Sequence, residues 1–223
     1  MLEYKLSNKT LQLAALYVDR FLSRFVATPK SALQLLGVAA LLVASKFEDV
    51  RPIEVASLIW ISDEAYTADQ LKGMEKALLE TLCWDVASVP AVCWVETLVE
   101  QSGLQKVDAQ LWLQFATYLS HLMVQHWQCS QWLLPSQQAA AALFYAGLCQ
   151  GLFSAWPTKL LAPLYEKEED NRLDEHVLRC LRALHQLLKS MPHPELHRAL
   201  RSKYSHFSLN SVALTPPLSN LPF

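Results

Sequence analysis

Between Asn8 and Leu22, apolar side chains at Leu11, Leu13, Ala14, Ala15, Tyr17, Val18, Phe21 and Leu22 recur three and four residues apart. That spacing gathers them on one wide face of a helix. Thr28-Pro29 predicts the start of the next helix, with Thr as its cap and Pro in the first turn, where a missing N–H costs nothing. From Lys30 to Lys46 the apolar positions run nearly all round, so this helix is expected to be covered on most sides, as a hub. Gly37, Ala40 and Ala44 share one of its faces and predict close backbone approach, while Leu35, Leu36, Leu41 and Leu42 supply volume elsewhere. A short helix is predicted from about Pro52 to Ile61. Thr67-Ala-Asp-Gln70 then has the pattern of a capping box at the head of a long amphipathic helix running to about Trp84. Val89-Pro90 marks a boundary.

The second half repeats this order. Helical segments near Ala91–Glu100 and Asp108–Gln125 precede a second Ala-rich hub, Pro135 to Cys149, roughly a hundred residues after the first, which is the mark of a structural duplication. Trp156-Pro157 opens a short segment, an acidic loop follows at Glu166–Asp170, and Leu173–Leu188 carries another strong helical period. Pro216, Pro217 and Pro222 lie among small polar residues, so the pattern predicts an extended tail over 208–223. The expected division is 1–87, 88–207 and 208–223.

Composition narrows the class. With 52% hydrophobic and 18% charged residues the chain can bury a sizeable core, and 5 glycines against 11 prolines suit helices with short connections better than hairpins. The fold class expected is all-α. Net charge is −2, with 19 basic residues scattered among 21 acidic ones, which offers no footprint for a phosphate backbone; nucleic acid is not an expected partner. Cys83, Cys93, Cys129, Cys149 and Cys180 are odd in number and lack CxxC spacing, so they read as reduced, packed thiols. The opening Met1-Leu-Glu-Tyr-Lys has no apolar signal core, and the longest apolar run, Leu35 to Ala44, is shorter than the about 20 residues a bilayer crossing needs; no membrane association is expected.

Catalytic signatures are missing. Gly103, Gly147 and Gly151 form no phosphate-binding pattern and no Gly-x-Ser-x-Gly occurs, so the chain is not expected to be an enzyme or to need a cofactor. His193 and His197 stand four apart, but the Pro between them and the lack of further ligands favour exposed terminal residues over a metal site. Thr28-Pro29 and Thr215-Pro216 fit proline-directed phosphorylation, although a helix cap and a tail turn account for them equally well.

Longer stretches carry a family likeness. Leu6 to Ser23, ending in Asp19-Arg-Phe-Leu-Ser23, resembles the second helix of the cyclin box. Leu33 to Asp49, with Ala44-Ser-Lys-Phe-Glu48, resembles the third, and Pro52-Ile-Glu-Val-Ala56 continues it. Ser62 to Glu75 and Leu82-Cys-Trp-Asp85 extend the likeness through the fourth and fifth. In the second half the similarity is looser, through Leu134-Pro-Ser136, Ala139–Ala142, Leu184-His185 and Lys203-Tyr204. The Ala-Ser-Lys-Phe-Glu run and the C-terminal Lys-Tyr favour the A (mitotic) type over the B type.

This resemblance implies tandem cyclin boxes and a regulatory subunit that activates a cyclin-dependent protein kinase in the nucleus and cytoplasm. It implies that Lys46 and Glu75 are the polar pair that hydrogen-bonds kinase backbone, and that Phe47, Glu48, Val50, Leu79 and Val86 surround it. On periodicity alone Lys46 complements a helix dipole, Glu75 is a solvated acid, and Leu79 and Val86 belong to a core. The first cyclin-box helix and the N-terminal region are not recognisable, so the groove that docks substrates or inhibitors is expected to be incomplete, with Gln34 its one matching residue. Arg51 stands where the family usually has Tyr, and Ile53 replaces the second Pro of Pro-Pro-Glu. The alternative is an adaptor, or a truncated cyclin, that binds protein without activating a kinase; nucleic acid binding, as in transcription-factor-IIB-like relatives of the fold, is disfavoured by charge.

Overall fold

A computed structural model describes residues 6–126, 129, 133–152, 175–190 and 197–221. Among the described residues the helices are α1 (Asn8–Arg24), α2 (Lys30–Glu48), α3 (Val55–Ile61), α4 (Ala68–Thr81), α5 (Ala91–Gln101), α6 (Lys106–Gln125), α7 (Pro135–Cys149), α8 (Glu175–Ser190) and α9 (Arg198–Tyr204), with single 3-10 turns at Phe207–Leu209 and Val212–Leu214. No described residue is in a strand, so the all-α class stands. The chain divides into two compact units, Met1–Pro90 and Ala91–Phe223.

In the first unit α2 has two buried faces, as a hub requires. Leu36, Ala40, Val43 and Ala44 pack with Leu13, Ala14, Tyr17 and Phe21 of α1 and with Leu78 and Leu82. Ala39 and Leu42 pack on the other side with Ile53, Leu58 and Leu71. By length and composition alone α2 is apolar enough to cross a membrane, but these two clusters account for its apolar character. Two local expectations fail. A Cβ placed at Gly37 meets nothing within 4 Å, so close approach rests on the fully buried Ala40 and Ala44 instead. Thr28 does not cap α2: the N-cap is Pro29, and the Thr28 hydroxyl donates to the Phe25 carbonyl at 2.6 Å, closing the preceding turn. The capping box of α4 is present, with Thr67 Oγ1 accepting from Gln70 N–H at 3.2 Å and Gln70 Oε1 accepting from Thr67 N–H at 2.8 Å.

In the second unit α7 is the hub. Ala139 to Ala146 are all buried, packed with Trp112, Phe115, Leu119 and Leu122 of α6 and with Val177, Leu181 and Leu184 of α8. The Trp112 indole N–H donates to the Leu143 carbonyl at 2.8 Å, satisfying its one polar atom inside the core. The segment predicted as an extended tail is instead part of this unit. Val212 and Ala213 are buried, Leu209, Leu218 and Leu221 pack against the same cluster, and Asn210 Nδ2 donates to Gln114 Oε1 at 2.6 Å. Its prolines do break regular helix, but Leu209, Val212, Ala213, Leu218 and Leu221 gave it apolar surface to bury. Helix α9 was not predicted, and His197 beside it is buried, not exposed: its Nδ1 lies 2.7 Å from Gln125 Oε1 and its Nε2 2.9 Å from His126 Nε2. His193, the Trp156-Pro157 segment and the acidic loop lie outside the described residues.

Candidate functional site

The C-terminal end of α2 is fixed on its inner side by hydrogen bonds that leave its outer side free. The Asp49 carboxylate accepts from the Ser7 N–H at 2.9 Å and from the Thr10 hydroxyl at 2.8 Å, so the close of α2 and the start of α1 are tied by one side chain. Buried Ser45 Oγ accepts the Ile53 N–H at 2.9 Å and anchors the turn into α3. A proline at position 53, which the family pattern has, would lack that donor, so the departure at Ile53 adds a bond. Glu48, half-buried, pairs with Lys9 at 3.7 Å. Phe47 and Val50 project into solvent, as does Arg51.

Lys46 and Glu75 come from different helices and meet: Lys46 Nζ lies 2.7 Å from Glu75 Oε1. The lysine side chain is 48% exposed and the glutamate only 14%, so the carboxylate is held in place and the ammonium projects from it. An exposed ion pair of this kind contributes at most about 1 kcal/mol to folding. Its chemistry is more telling than its energy. With one proton given to Glu75, the ammonium keeps further donors, and Glu75 keeps a second oxygen as acceptor. A cation and an anion side by side match a backbone carbonyl and N–H left unpaired on a partner, and Phe47 and Val50 provide apolar surface nearby in sequence.

Leu79 and Val86 are half-buried and pack on the Leu13–Tyr17–Leu78 cluster, which ties them partly to the core, as periodicity alone expects. Their setting depends on how α4 ends. The helix was predicted to reach about Trp84 but closes at Thr81, because Cys83 and Trp84 both adopt left-handed backbone, φ 54° and 61°. Each such non-glycine residue costs on the order of 1 kcal/mol. A row on α1 holds this turn: Tyr17 hydroxyl donates to Val86 O at 2.7 Å, Arg20 donates to Asp85 O at 2.8 Å and to Asp85 Oδ2 at 3.1 Å, and Arg24 donates to Thr81 O. Burial pushes the Tyr17 phenol up to about 12, so it stays a donor well above neutral pH. Sequence reasoning named none of Tyr17, Arg20, Arg24, Ser45 or Asp49 as functional; Arg20 lay in a quoted signature, but its partner 65 positions away was not visible.

Gln34 sits apart, exposed on the early part of α2, where Tyr66 hydroxyl donates to its Oε1 at 3.2 Å. No group of three or more His, Cys, Asp or Glu able to hold a metal occurs among the described residues.

Two family descriptions match consecutive stretches: "Cyclin, N-terminal domain" over residues 1–87 and "Cyclin, C-terminal domain" over residues 89–218. The chain belongs to the cyclin family. It is 34% identical to Cyclin-A2 of Bos taurus over 98% of its own length, and 34% identical to G2/mitotic-specific cyclin-A of Patella vulgata over 99%. In both cases the chain spans about half the length of the relative, 48% and 49% respectively. The fold is that of a solved viral cyclin from Herpesvirus saimiri, with a TM-score of 0.59 at 20% identity, covering 81% of this chain and 85% of that one. The cyclin boxes are therefore tandem, and the A-type likeness read from Ala44-Ser-Lys-Phe-Glu48 stands.

Proposed function

We propose that this cyclin is a regulatory subunit, without catalysis of its own, that binds and activates a cyclin-dependent protein kinase in the nucleus and cytoplasm during the cell cycle. The observation that carries the reading is the 2.7 Å pair of Lys46 with Glu75, half in solvent beside exposed Phe47 and Val50 on a helix end anchored from within. A kinase works only when a glutamate of its αC helix pairs with the active-site lysine and its activation loop is ordered. The pair holds the backbone at the end of αC while Phe47, Val50, Leu79 and Val86 cover its apolar side, and Glu48 borders them. A partner shifts αC inward only by its differential affinity for that state, and about 5.5 kcal/mol takes the balance from 1:99 to 99:1. Such a surface needs to cover about 2,000 Å² or more. Substrates or inhibitors that dock near Gln34 form a secondary part of the reading.

Purified kinase, pulldown and phosphate-transfer assays test it with Lys46→Glu and Glu75→Lys. Each variant is expected to fold, to lose binding at least about tenfold, about 1.4 kcal/mol, and to lose activation in step. Unchanged binding and activity in both variants would overturn the site. Binding without activation in the unaltered chain would favour the adaptor. Immunofluorescence restricted to one compartment would correct the localisation.

A further inference from the structure

The core of the second unit contains two cysteines brought together from distant parts of the chain. Cys129 and Cys180 are each 2% exposed and belong to the same apolar cluster as Val177, Leu181 and Leu184. Although separated by 51 positions, they touch: the Cys180 thiol donates to the Cys129 carbonyl at 3.3 Å. That contact, with the hydrogen bond between the two thiol side chains, sets the two sulfurs beside each other, the juxtaposition a disulfide requires.

We propose that Cys129 and Cys180 form a reversible disulfide when the protein meets a hydroperoxide, making the second cyclin box a site of oxidative modification. The two thiols are not equivalent. A hydrogen bond from the Cys180 thiol lowers the Cys129 pKa, and the same bond together with burial raises that of Cys180. Cys129 is therefore the attacking sulfur. As thiolate it attacks one oxygen of hydrogen peroxide, the O–O bond breaks, and the released hydroxide takes a proton to leave as water, with Cys129 now a sulfenic acid. Cys180, after giving up its proton, attacks that sulfur; the S–OH bond breaks, the S–S bond forms and a second water leaves. Two thiols are oxidised, one peroxide is reduced to two waters, and an added dithiol reverses the change. Peroxide is small enough to reach a core during local opening. Cys149, by contrast, is pushed up to about 12 by burial, so it stays a thiol.

The test uses the full chain, reduced, then treated with hydrogen peroxide, unfolded, alkylated and mapped by mass spectrometry. The expected result is one peptide pair joined through Cys129 and Cys180, lighter by about 2 Da, restored by dithiothreitol. The melting midpoint of the oxidised protein should rise by roughly 5 °C or more, because the bridge constrains the unfolded chain. In Cys180→Ala the sulfenic acid should persist on Cys129 and be trapped by dimedone. If that variant does not fold, the map of the unaltered chain decides alone. The proposal is overturned if both thiols remain alkylatable at a peroxide dose that oxidises the exposed Cys83, or if Cys129 is found bridged to any other cysteine.

Discussion

The Lys46–Glu75 pair shows what a single residue discloses in sequence and what it does not. A lysine in the last turn of an apolar helix is an ordinary dipole partner, and a glutamate in the middle of an amphipathic one is an ordinary solvated acid. Only the family likeness joined them beforehand, because no local pattern encodes a contact across 29 positions. Buried polar atoms are similarly silent. Tyr118 and Tyr204 set their rings 5.2 Å apart and tilted in the second core, yet the Tyr204 hydroxyl lies 3.0 Å from His121 Nδ1 while the Tyr118 hydroxyl has no hydrogen-bond partner among the described residues. An unsatisfied buried hydroxyl costs stability, whereas a satisfied one contributes. Tyr118→Phe should therefore leave the urea midpoint unchanged or raise stability by up to about 1 kcal/mol, and Tyr204→Phe should lower it by about 1–3 kcal/mol. Denaturation by urea followed by circular dichroism reads both.

At the scale of elements, helix existence was legible and helix ends were not. The periods of α1, α2 and α4 to α8 are written in side chains three and four apart, and the Thr67–Gln70 box is written in neighbours. The close of α4 depends on Tyr17, Arg20 and Arg24 reaching across from α1 to main-chain oxygens, which outweighs the local cost of left-handed Cys83 and Trp84. The short α9 was missed because its seven residues carry too little period to stand out. Asp49 is the sharpest case: at the close of α2, its carboxylate accepts the N–H of Ser7, the N-cap of α1, 42 positions earlier. Asp49→Ala should cost about 1–3 kcal/mol, from the loss of a cap bond and a charge-assisted bond to Thr10. It should also weaken kinase binding although residue 49 is not placed on the contact surface, because Lys46 and Phe47 ride on the helix end it holds. Calorimetry and a binding titration on the same variant separate the two effects.

Across the whole molecule, both units bury phenols, and pH exposes this. Burial raises the pKa of Tyr17 to about 12 and raises those of Tyr118, Tyr145 and Tyr204 as well. An acid whose pKa is higher folded than unfolded contributes stability that is fully present below its unfolded value, about 10, and is lost as pH rises through the folded value. The denaturant midpoint should therefore hold steady to about pH 9 and fall between about pH 10 and 12. Phenolate absorbance should show these four tyrosines ionising only as the chain unfolds; their titration within the folded protein near about pH 10 would contradict the burial described.

The sequence by itself determined the helical class and the two apolar hubs, because these rest on spacing and composition that neighbours along the chain carry, and the family through the likeness of motifs such as Ala44-Ser-Lys-Phe-Glu48 to the cyclin box. Tertiary structure decided where α4 stops, that 208–221 folds into the second core, and that Lys46 meets Glu75 while Asp49 meets Ser7. Those outcomes depend on hydrogen bonds and apolar burial between residues tens of positions apart, whose energies exceed local preference and leave no periodic trace in the chain.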